Sequence, residues 1–211
     1  MVSASKKITI VGGSGALGAG LAKRWARKGH QIIIGSRDEK RASEAASRLN
    51  NEAGTASIVG MENKVASENG EIVVLTVPFS NHMSTLSLIA PALDNKILID
   101  VTVPLVPPKV RTVHIPEGGS CAKAAQEFLG KAVRVVSAFQ SVAATHLDDL
   151  EHEIDCDVLV CGNDPEAREV VVELASDADM KAWHAGVVAN SIVAEAMTSS
   201  LICMNNRYKI D

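Results

Sequence analysis

Residues 8–20 read Ile-Thr-Ile-Val-Gly-Gly-Ser-Gly-Ala-Leu-Gly-Ala-Gly, and this stretch decides the fold. Its first four residues are apolar and largely β-branched, which predicts a buried strand. The segment 17–28 carries apolar residues at helical spacing, which predicts a helix. Between them lies a turn that fits the pattern G-x-G-x-x-G with Gly13, Ser14, Gly15, Ala16, Leu17 and Gly18. A strand, this turn and a helix in that order predict a dinucleotide-binding unit.

The three glycines of the pattern have separate physical roles. We expect Gly13 to allow the tight turn, Gly15 to let the backbone approach a pyrophosphate, and Gly18 to let helix and strand pack closely. The pyrophosphate would bind to free N–H groups at the N-terminus of the helix. The alternative interpretation is a tight turn between strand and helix that binds no ligand.

The end of the second predicted strand indicates which dinucleotide binds. An NAD site carries Asp or Glu there, about twenty residues after the glycines, to hold the ribose 2′-hydroxyl. This chain has Ser36 and Arg37 instead, with Arg41 one helical turn later. A hydroxyl donor and two guanidinium groups suit a 2′-phosphate, so the sequence favours NADP(H) over NAD(H). The alternative is a solvated basic helix start, because Asp38 and Glu39 lie among the cations.

The composition indicates a protein with a large aliphatic core. Of the 211 residues, 46% are hydrophobic and only 3% aromatic, and the mean hydropathy is +0.12. The net charge of −4 and the lack of a basic stripe argue against binding to nucleic acid. The apolar runs are strand-sized and no signal peptide is evident, so we expect no membrane association and a cytoplasmic location. The four scattered cysteines predict buried reduced thiols and no metal site.

Strand-like and helix-like segments alternate along the chain. This order predicts a Rossmann-type α/β fold, in which helices cover both faces of a doubly wound, mainly parallel sheet. We expect an NADP-binding domain at residues 1–137 and a small C-terminal α/β unit at 138–211 that packs on it and closes the cleft for the second substrate. The predicted strands span 8–11, 31–35, 55–59, 72–77, 97–101, 132–137 and 157–161, and the main predicted helices span 17–28, 38–50, 82–93, 121–129, 165–176 and 189–206.

Local signals mark the ends of some elements. Ser80 or Asn81 is a candidate cap for the helix 82–93, and Asp164 before Pro165 predicts the start of the helix 165–176. Residues 105–119 are rich in proline and contain a Gly-Gly pair, which predicts a long loop of the kind that often carries function.

No side-chain pair for acid–base catalysis stands out. The Tyr-x-x-x-Lys pair of short-chain dehydrogenases is missing, and the single tyrosine, Tyr208, lies near the C-terminus. His82 follows a strand end that borders the expected crevice, although a helix-start or surface histidine is the simpler interpretation. A chain without a catalytic side chain suits a second substrate that is itself a hydride carrier, because hydride then passes directly between two rings.

Segments beyond the glycine turn carry a more specific signal. They are Val-Leu-Thr-Val-Pro-Phe at 74–79, Val-Pro-Leu-Val-Pro at 103–107, Val-Val-Ser-Ala at 135–138, Val-Leu-Val-Cys-Gly-Asn-Asp at 158–164 and His-Ala-Gly at 184–186. With the glycine turn and Gly-Ser-Arg at 35–37, this ordered set resembles the NADP reductases that use the 8-hydroxy-5-deazaflavin coenzyme F420. The resemblance covers nearly the whole chain.

The resemblance implies hydride transfer between NADP(H) and F420, with the deazaflavin stacked on the nicotinamide in a cleft. It places the nicotinamide near Thr76, Val77, Pro78, Val103 and Pro104. It also implies that His82, Ala138 and Gln140 belong to the residues that bind the coenzymes. Gln140, Ala143 and Phe79 depart from the residues usual in the family and lie near the expected deazaflavin pocket.

Two other functions stay open from the sequence. One is an NADPH-dependent reductase of another acceptor, namely a flavin, a ferric chelate or a small carbonyl or imine compound, with His82 or Gln140 assisting. The other is a non-catalytic module that senses NADPH and regulates a partner.

The last predicted helix indicates how the protein assembles. Its apolar face is wider than one contact with a sheet requires, which predicts a homodimer. This face is formed by Ile192, Val193, Ala196, Met197, Leu201 and Met204. The alternative is a helix buried entirely within its own subunit.

Overall fold

The computed structural model describes residues 4–210, and their strands form one sheet. The strands are β1 (Lys7–Val11), β2 (Gln31–Ser36), β3 (Ile58–Glu62), β4 (Ile72–Leu75), β5 (Ile97–Asp100), β6 (Arg134–Ser137), β7 (Asp157–Gly162) and β8 (Lys181–Gly186). Within residues 4–210 the sheet has eight strands in the order β3-β2-β1-β4-β5-β6-β7-β8, and β6 with β7 is the antiparallel pair. The chain winds outward from β1 in one direction and from β4 in the other, so the switch point lies between them.

Helices cover both faces of this sheet. They are α1 (Ala16–Arg27), α2 (Glu39–Ala53), α3 (Asn63–Asn69), α4 (His82–Ile89), α5 (Cys121–Leu129), α6 (Ala144–Asp148), α7 (Pro165–Asp177) and α8 (Ser191–Tyr208). Successive strand residues point to opposite faces, so Ile8 and Ile10 join one core with α1, α2 and α7, whereas Val11 joins the other with α4 and α5. The predicted Rossmann-type fold is confirmed.

Two buried cations of α1 fasten the irregular segment around α6. Lys23 Nζ donates to the Asp148 carboxylate at 2.7 Å. The Arg24 guanidinium, which is also buried, donates to a ring of main-chain carbonyl oxygens. These belong to His146, Leu147, Asp149, His152 and Ala178. A buried cation is stable only with such partners, so this segment and α1 hold each other in place.

The predicted ends of helices and strands agree best with the structure near the N-terminus. The strand predicted at 55–59 begins only at Ile58, and the helix predicted at 82–93 ends at Ile89, before a 3₁₀ turn at Ala90–Ala92. Asn81, one of the two predicted cap residues, is the N-cap residue of α4, but its side chain forms no capping hydrogen bond, and a 3₁₀ turn, Phe79–Asn81, leads into the helix. The cap by Asp164 is confirmed, since its carboxylate accepts the Ala167 N–H at 2.7 Å.

Two elements beyond residue 137 were not predicted. β8 is an edge strand of mixed exposure that contains Gly186 and lacks an alternating apolar pattern. α6 is five residues long, too short for a helical period to show. β7 and β8 continue the sheet through β6. The division into an NADP-binding domain at 1–137 and a small C-terminal unit at 138–211 stays a prediction.

Within residues 4–210 no helix is long and apolar enough to cross a membrane. Over the same range there is no group of three or more His, Cys, Asp or Glu side chains placed to hold a metal ion. Cys121 and Cys161 are buried as predicted and Cys156 is partly buried, whereas Cys203 is exposed.

Candidate functional site

A cleft of about 540 Å³ lies at the carboxyl ends of β1, β2 and β4, at the switch point of the sheet. We call it the first cleft. It is lined by Gly12, Ser14, Gly15, Ala16, Leu17, Gly18, Gly35, Ser36, Arg37, Arg41, Asn63, Thr76, Val77, Pro78, Asn81, Ser84, Thr85 and Leu88. The predicted glycine turn, apart from Gly13, and the predicted 2′-phosphate residues therefore meet in one cleft.

The glycine turn brings the main chain against the end of β4. Gly12 has a φ of +80°, and a Cβ there would lie 3.0 Å from the Thr76 carbonyl oxygen, so glycine is required. A Cβ on Gly18 would lie 2.8 Å from both the Gly13 Cα and the Thr76 Oγ1 atom. The predicted close approach at Gly18 is thus present. The left-handed residue of the turn is Gly12, which the pattern omits, while Gly13 lies inside the turn and donates to the Ile10 carbonyl at 3.1 Å.

The start of α1 faces the first cleft without a side-chain cap. Gly15 is the N-cap residue and has no side chain to satisfy the first N–H groups. Unpaired N–H groups and the helix dipole favour an anion at this position. The start of α1 is therefore suited to a pyrophosphate.

The other end of the first cleft is basic. Arg37 and Arg41 are exposed, and neither guanidinium forms an ion pair with a carboxylate of residues 4–210. The Asp38 carboxylate instead caps α2, accepting the N–H groups of Lys40 at 2.8 Å and Arg41 at 3.3 Å. Among the described residues that line the cleft there is no acidic side chain. Of the two acidic residues behind the alternative interpretation, Asp38 thus caps the helix, and Glu39 is not among the residues that line the cleft.

A second cleft, of about 590 Å³, lies beside the first at the ends of β4 and β5. It is lined by Leu17, Thr76, Val77, Pro78, Phe79, Ser80, Val101, Thr102, Val103, Leu105, Val106, Pro107 and Val110. None of these described residues is ionisable, so the surface is suited to a flat apolar group. Both clefts are lined by Leu17, Thr76, Val77 and Pro78, which form a shared wall.

The long loop predicted at 105–119 forms the outer side of the second cleft. Leu105 N–H donates to the Val103 carbonyl at 2.7 Å, which folds the start of the loop back on itself. The rings of Phe79 and His114 lie 5.7 Å apart between centroids. Arg111 Nη1 donates to Asn206 Oδ1 at 3.2 Å, so the loop also contacts α8.

Four predicted coenzyme contacts lie in the interior beneath the clefts. Val103 lines the second cleft, but Pro104, Ala138, Gln140 and His82 line neither. Helical periodicity explains the position of His82. Positions 81, 84, 85 and 88 of the segment 79–89 face the first cleft, so position 82 lies on the opposite, buried face of α4.

His82 belongs to a buried polar network centred on the end of β5. Its Nε2 atom lies 2.6 Å from Asp100 Oδ2, and both side chains are almost fully buried. Burial lowers the pKa of His82, but the hydrogen bond and charge of Asp100 outweigh it and raise that pKa overall. Asp100 also accepts the Thr102 N–H at 3.0 Å, and its carbonyl accepts Gln140 Nε2 at 2.9 Å. The network thereby holds the strand end from which the wall of the second cleft continues.

Glu195 of α8 adds a second buried carboxylate nearby. It is 1% exposed, and its oxygens accept the N–H groups of Cys121 at 2.7 Å and Ala122 at 3.1 Å, at the start of α5. Burial raises the pKa of Glu195 to about 7, although those hydrogen bonds oppose the shift. Ser191 Oγ and Ser120 Oγ are also 2.7 Å apart. Polar contacts therefore fasten α8 to α5.

Some lining residues were not found from the sequence. They are Gly12, Gly35, Asn63, the cleft-facing positions of α4, and most of the apolar positions between 101 and 110. Each lies at the carboxyl end of a strand or in the segment that follows it, at the edge where parallel strands end. The signal was thus their position after a strand rather than their residue type.

The raised pKa of Glu195 predicts a pH dependence of stability. The folded carboxyl holds its proton up to about pH 7, whereas the unfolded one loses it near 4.5. The free energy of unfolding therefore falls, by on the order of 3 kcal/mol, as pH rises from about 4.5 to 7. Glu195→Gln has no carboxyl to titrate at this position and should remove this fall. Urea denaturation at several pH values measures it, with the exposed Glu127→Gln as control. Equal slopes in the wild type and Glu195→Gln would contradict the prediction.

The sequence of this chain is similar to those of known reductases. The profile of a family described as NADP oxidoreductase, coenzyme F420-dependent, matches residues 7–104. The F420-dependent NADP reductase of Methanocaldococcus jannaschii is 42% identical, over 96% of this chain and 94% of the relative. That of Methanothermobacter thermautotrophicus is 37% identical, over 97% and 91% respectively.

A solved structure from Arthrobacter sp. FB24, described as a candidate F420-dependent NADP reductase, shares the fold. The TM-score is 0.80 at 23% identity, covering 98% of this chain and 96% of that one. The family assignment rests on the reductases from Methanocaldococcus jannaschii and Methanothermobacter thermautotrophicus, which match nearly the whole chain. The chain belongs to the F420-dependent NADP reductase family.

Proposed function

We propose that this protein is an oxidoreductase that transfers a hydride between NADP(H) and coenzyme F420. The observation that carries the proposal is the wall shared by a basic, glycine-lined cleft and an apolar cleft, formed by Leu17, Thr76, Val77 and Pro78. Two rings that rest on this wall are held side by side. The names of the full-length relatives supply the identity of the second coenzyme.

In this proposal NADP(H) occupies the first cleft along its whole length. The pyrophosphate binds at the start of α1, and the 2′-phosphate binds Ser36, Arg37 and Arg41. The nicotinamide then rests on the shared wall. Thr76 is fixed there by its hydroxyl, which donates to the Val11 carbonyl at 2.9 Å.

The deazaflavin ring occupies the second cleft, against Val103 and Leu105. A hydride leaves the dihydronicotinamide and is accepted by the deazaflavin, which takes up one proton as well. The side chains of this chain orient the two rings and exclude water from the space between them, as the apolar lining suits. No ionisable side chain among the described lining residues stands ready to deliver that proton, so we propose solvent as its source.

A carbonyl or imine reductase is less well supported. That alternative relied on His82 or Gln140, and neither side chain lines a cleft. The Nε2 atom of each side chain is hydrogen-bonded to Asp100 instead. We also propose a cytoplasmic location, which the strand-sized apolar segments and the small-molecule substrates favour.

We further propose a homodimer that forms through α8. The side of α8 that faces its own subunit is small or polar, with Ala194, Glu195 and Ser199 buried. Of its apolar residues, Val193 is 59%, Met204 48% and Met197 36% exposed, whereas Ile192, Ala196 and Leu201 are partly buried. An outward apolar face of this kind favours a second subunit over burial within the chain. Closure of the second cleft by residues 138–211 stays a prediction, since the described lining comes from residues 12–110.

Arg37→Ala should weaken NADPH binding about 10- to 100-fold, because a charge-assisted hydrogen bond to the 2′-phosphate is lost. NADH binding should change little. Calorimetric titration of both coenzymes measures this. Arg48→Ala, at an exposed arginine of the following helix α2 that pairs with Glu52, is the matched control. Unchanged NADPH affinity in Arg37→Ala would overturn the assignment of this end of the cleft.

Leu105→Asp should raise the KM for F420 at least tenfold, since it places a charge against an apolar ring. The affinity for NADPH should stay at the wild-type value. Val113→Asp, an exposed position in the same loop, is the control.

The same assay run with FMN, FAD, ferric chelates and carbonyl compounds tests the reaction itself. Turnover with a carbonyl compound and none with F420 would refute hydride exchange between two coenzymes.

Met197→Glu should shift the protein from dimer to monomer at micromolar concentration, because it places a charge on the apolar face of α8. Light scattering after size exclusion gives the mass directly. Glu166→Gln, an exposed change on α7, serves as control. A wild-type protein that is monomeric in this measurement would remove the dimer proposal.

A further inference from the structure

Asn63 is a buried polar residue in the wall of the first cleft, and the proposed function gives this residue no role. It is the first residue of α3 and directly follows Glu62, which pairs in register with Ser36 of β2. The pairing places Asn63 beside the residues proposed to bind the 2′-phosphate. Asn63 lines the same cleft as Ser36, Arg37 and Arg41.

The side-chain amide of Asn63 lacks an internal role. The residue is 4% exposed, and its Oδ1 atom is shielded from solvent without a hydrogen-bond partner among residues 4–210. No hydrogen bond from its Nδ2 atom to these residues holds the amide either. Buried polar groups in native proteins are nearly always satisfied, so an amide in a cleft wall with neither atom bonded points to a ligand contact. The Nδ2 donor is the atom that an acceptor group of such a ligand can use.

The backbone around Asn63 holds the amide in one place. The Glu62 carboxylate accepts the N–H groups of Lys64 and Val65, and Ser67 Oγ donates to the Asn63 carbonyl at 2.8 Å. On the opposite side lies Gly35, where a Cβ would come within 2.9 Å of Asn63 Oδ1. Glycine at position 35 therefore leaves the space that the amide occupies. The group is fixed in position, with its hydrogen-bonding capacity unused.

We propose that the Asn63 amide donates a hydrogen bond to the 2′-phosphate of NADP(H) and is a specificity-determining residue for that coenzyme. The inference rests on the proposed function, which places NADP(H) in the first cleft. A 2′-phosphate carries three acceptor oxygens, so a hydroxyl, two guanidinium groups and an amide can share it. A neutral donor adds directional recognition to the charges of Arg37 and Arg41.

The test compares two probes that differ only in this phosphate, 2′,5′-ADP and 5′-AMP, by calorimetric titration. Asn63→Ala should bind 2′,5′-ADP about tenfold more weakly than the wild type does, with 5′-AMP affinity unchanged. Asn63→Asp has nearly the same shape and should lose more, because its carboxylate repels the phosphate. Asn69→Ala, at the other end of α3, is the matched control and should bind both probes normally. The melting temperature of Asn63→Ala should not fall, because no internal side-chain hydrogen bond is lost.

The remaining outcomes separate this inference from the proposed function. A wild type that prefers 2′,5′-ADP, together with an Asn63→Ala variant that binds it equally well, overturns the inference alone. Equal weakening of both probes, or a lower melting temperature, assigns Asn63 a structural role and also overturns it. A wild type without preference for 2′,5′-ADP overturns both the inference and the NADP(H) assignment.

Discussion

The close approach of the glycine turn to the end of β4 is the constraint on which both clefts depend. At Gly12 a single added carbon would meet the main-chain carbonyl of Thr76, and at Gly18 it would meet the Gly13 Cα and the Thr76 hydroxyl, which is itself held by the Val11 carbonyl. This contact sets the height of α1 above the sheet and thereby the floor of the first cleft. Because Thr76 and its neighbours also line the second cleft, the same backbone contact positions the wall that the two clefts share.

Beneath the clefts, buried polar side chains hold the main chain and the helices in place. α4 presents hydroxyl and amide groups to the first cleft, while His82 on its other face pairs with Asp100. Asp100 in turn holds the main chain at Thr102, where the wall of the second cleft begins. Glu195 joins α8 to the start of α5 in the same interior region. His82, Asp100 and Glu195 are thus near the clefts yet line neither of them.

The features predicted well from the sequence are those with a strong local cause. The strand, turn and helix at 8–28 and the Ser-Arg pair after β2 are short patterns whose chemistry is complete within a few residues. The burial of His82 was not predictable in this way, because it depends on which face of α4 meets the sheet. β8 was missed because an edge strand needs no apolar alternation. Asn63 gave no sequence signal, since an unsatisfied amide is recognised only when its surroundings are known.

The shared wall has a consequence for how the two coenzymes bind. Once a nicotinamide rests on Leu17, Thr76, Val77 and Pro78, its own ring replaces part of the protein surface that the second cleft offers. Each coenzyme then forms part of the binding site of the other, and by thermodynamic linkage each changes the affinity of its partner by the same factor. The site is complete only when it holds both coenzymes, and the electrons pass between them without residing on the protein.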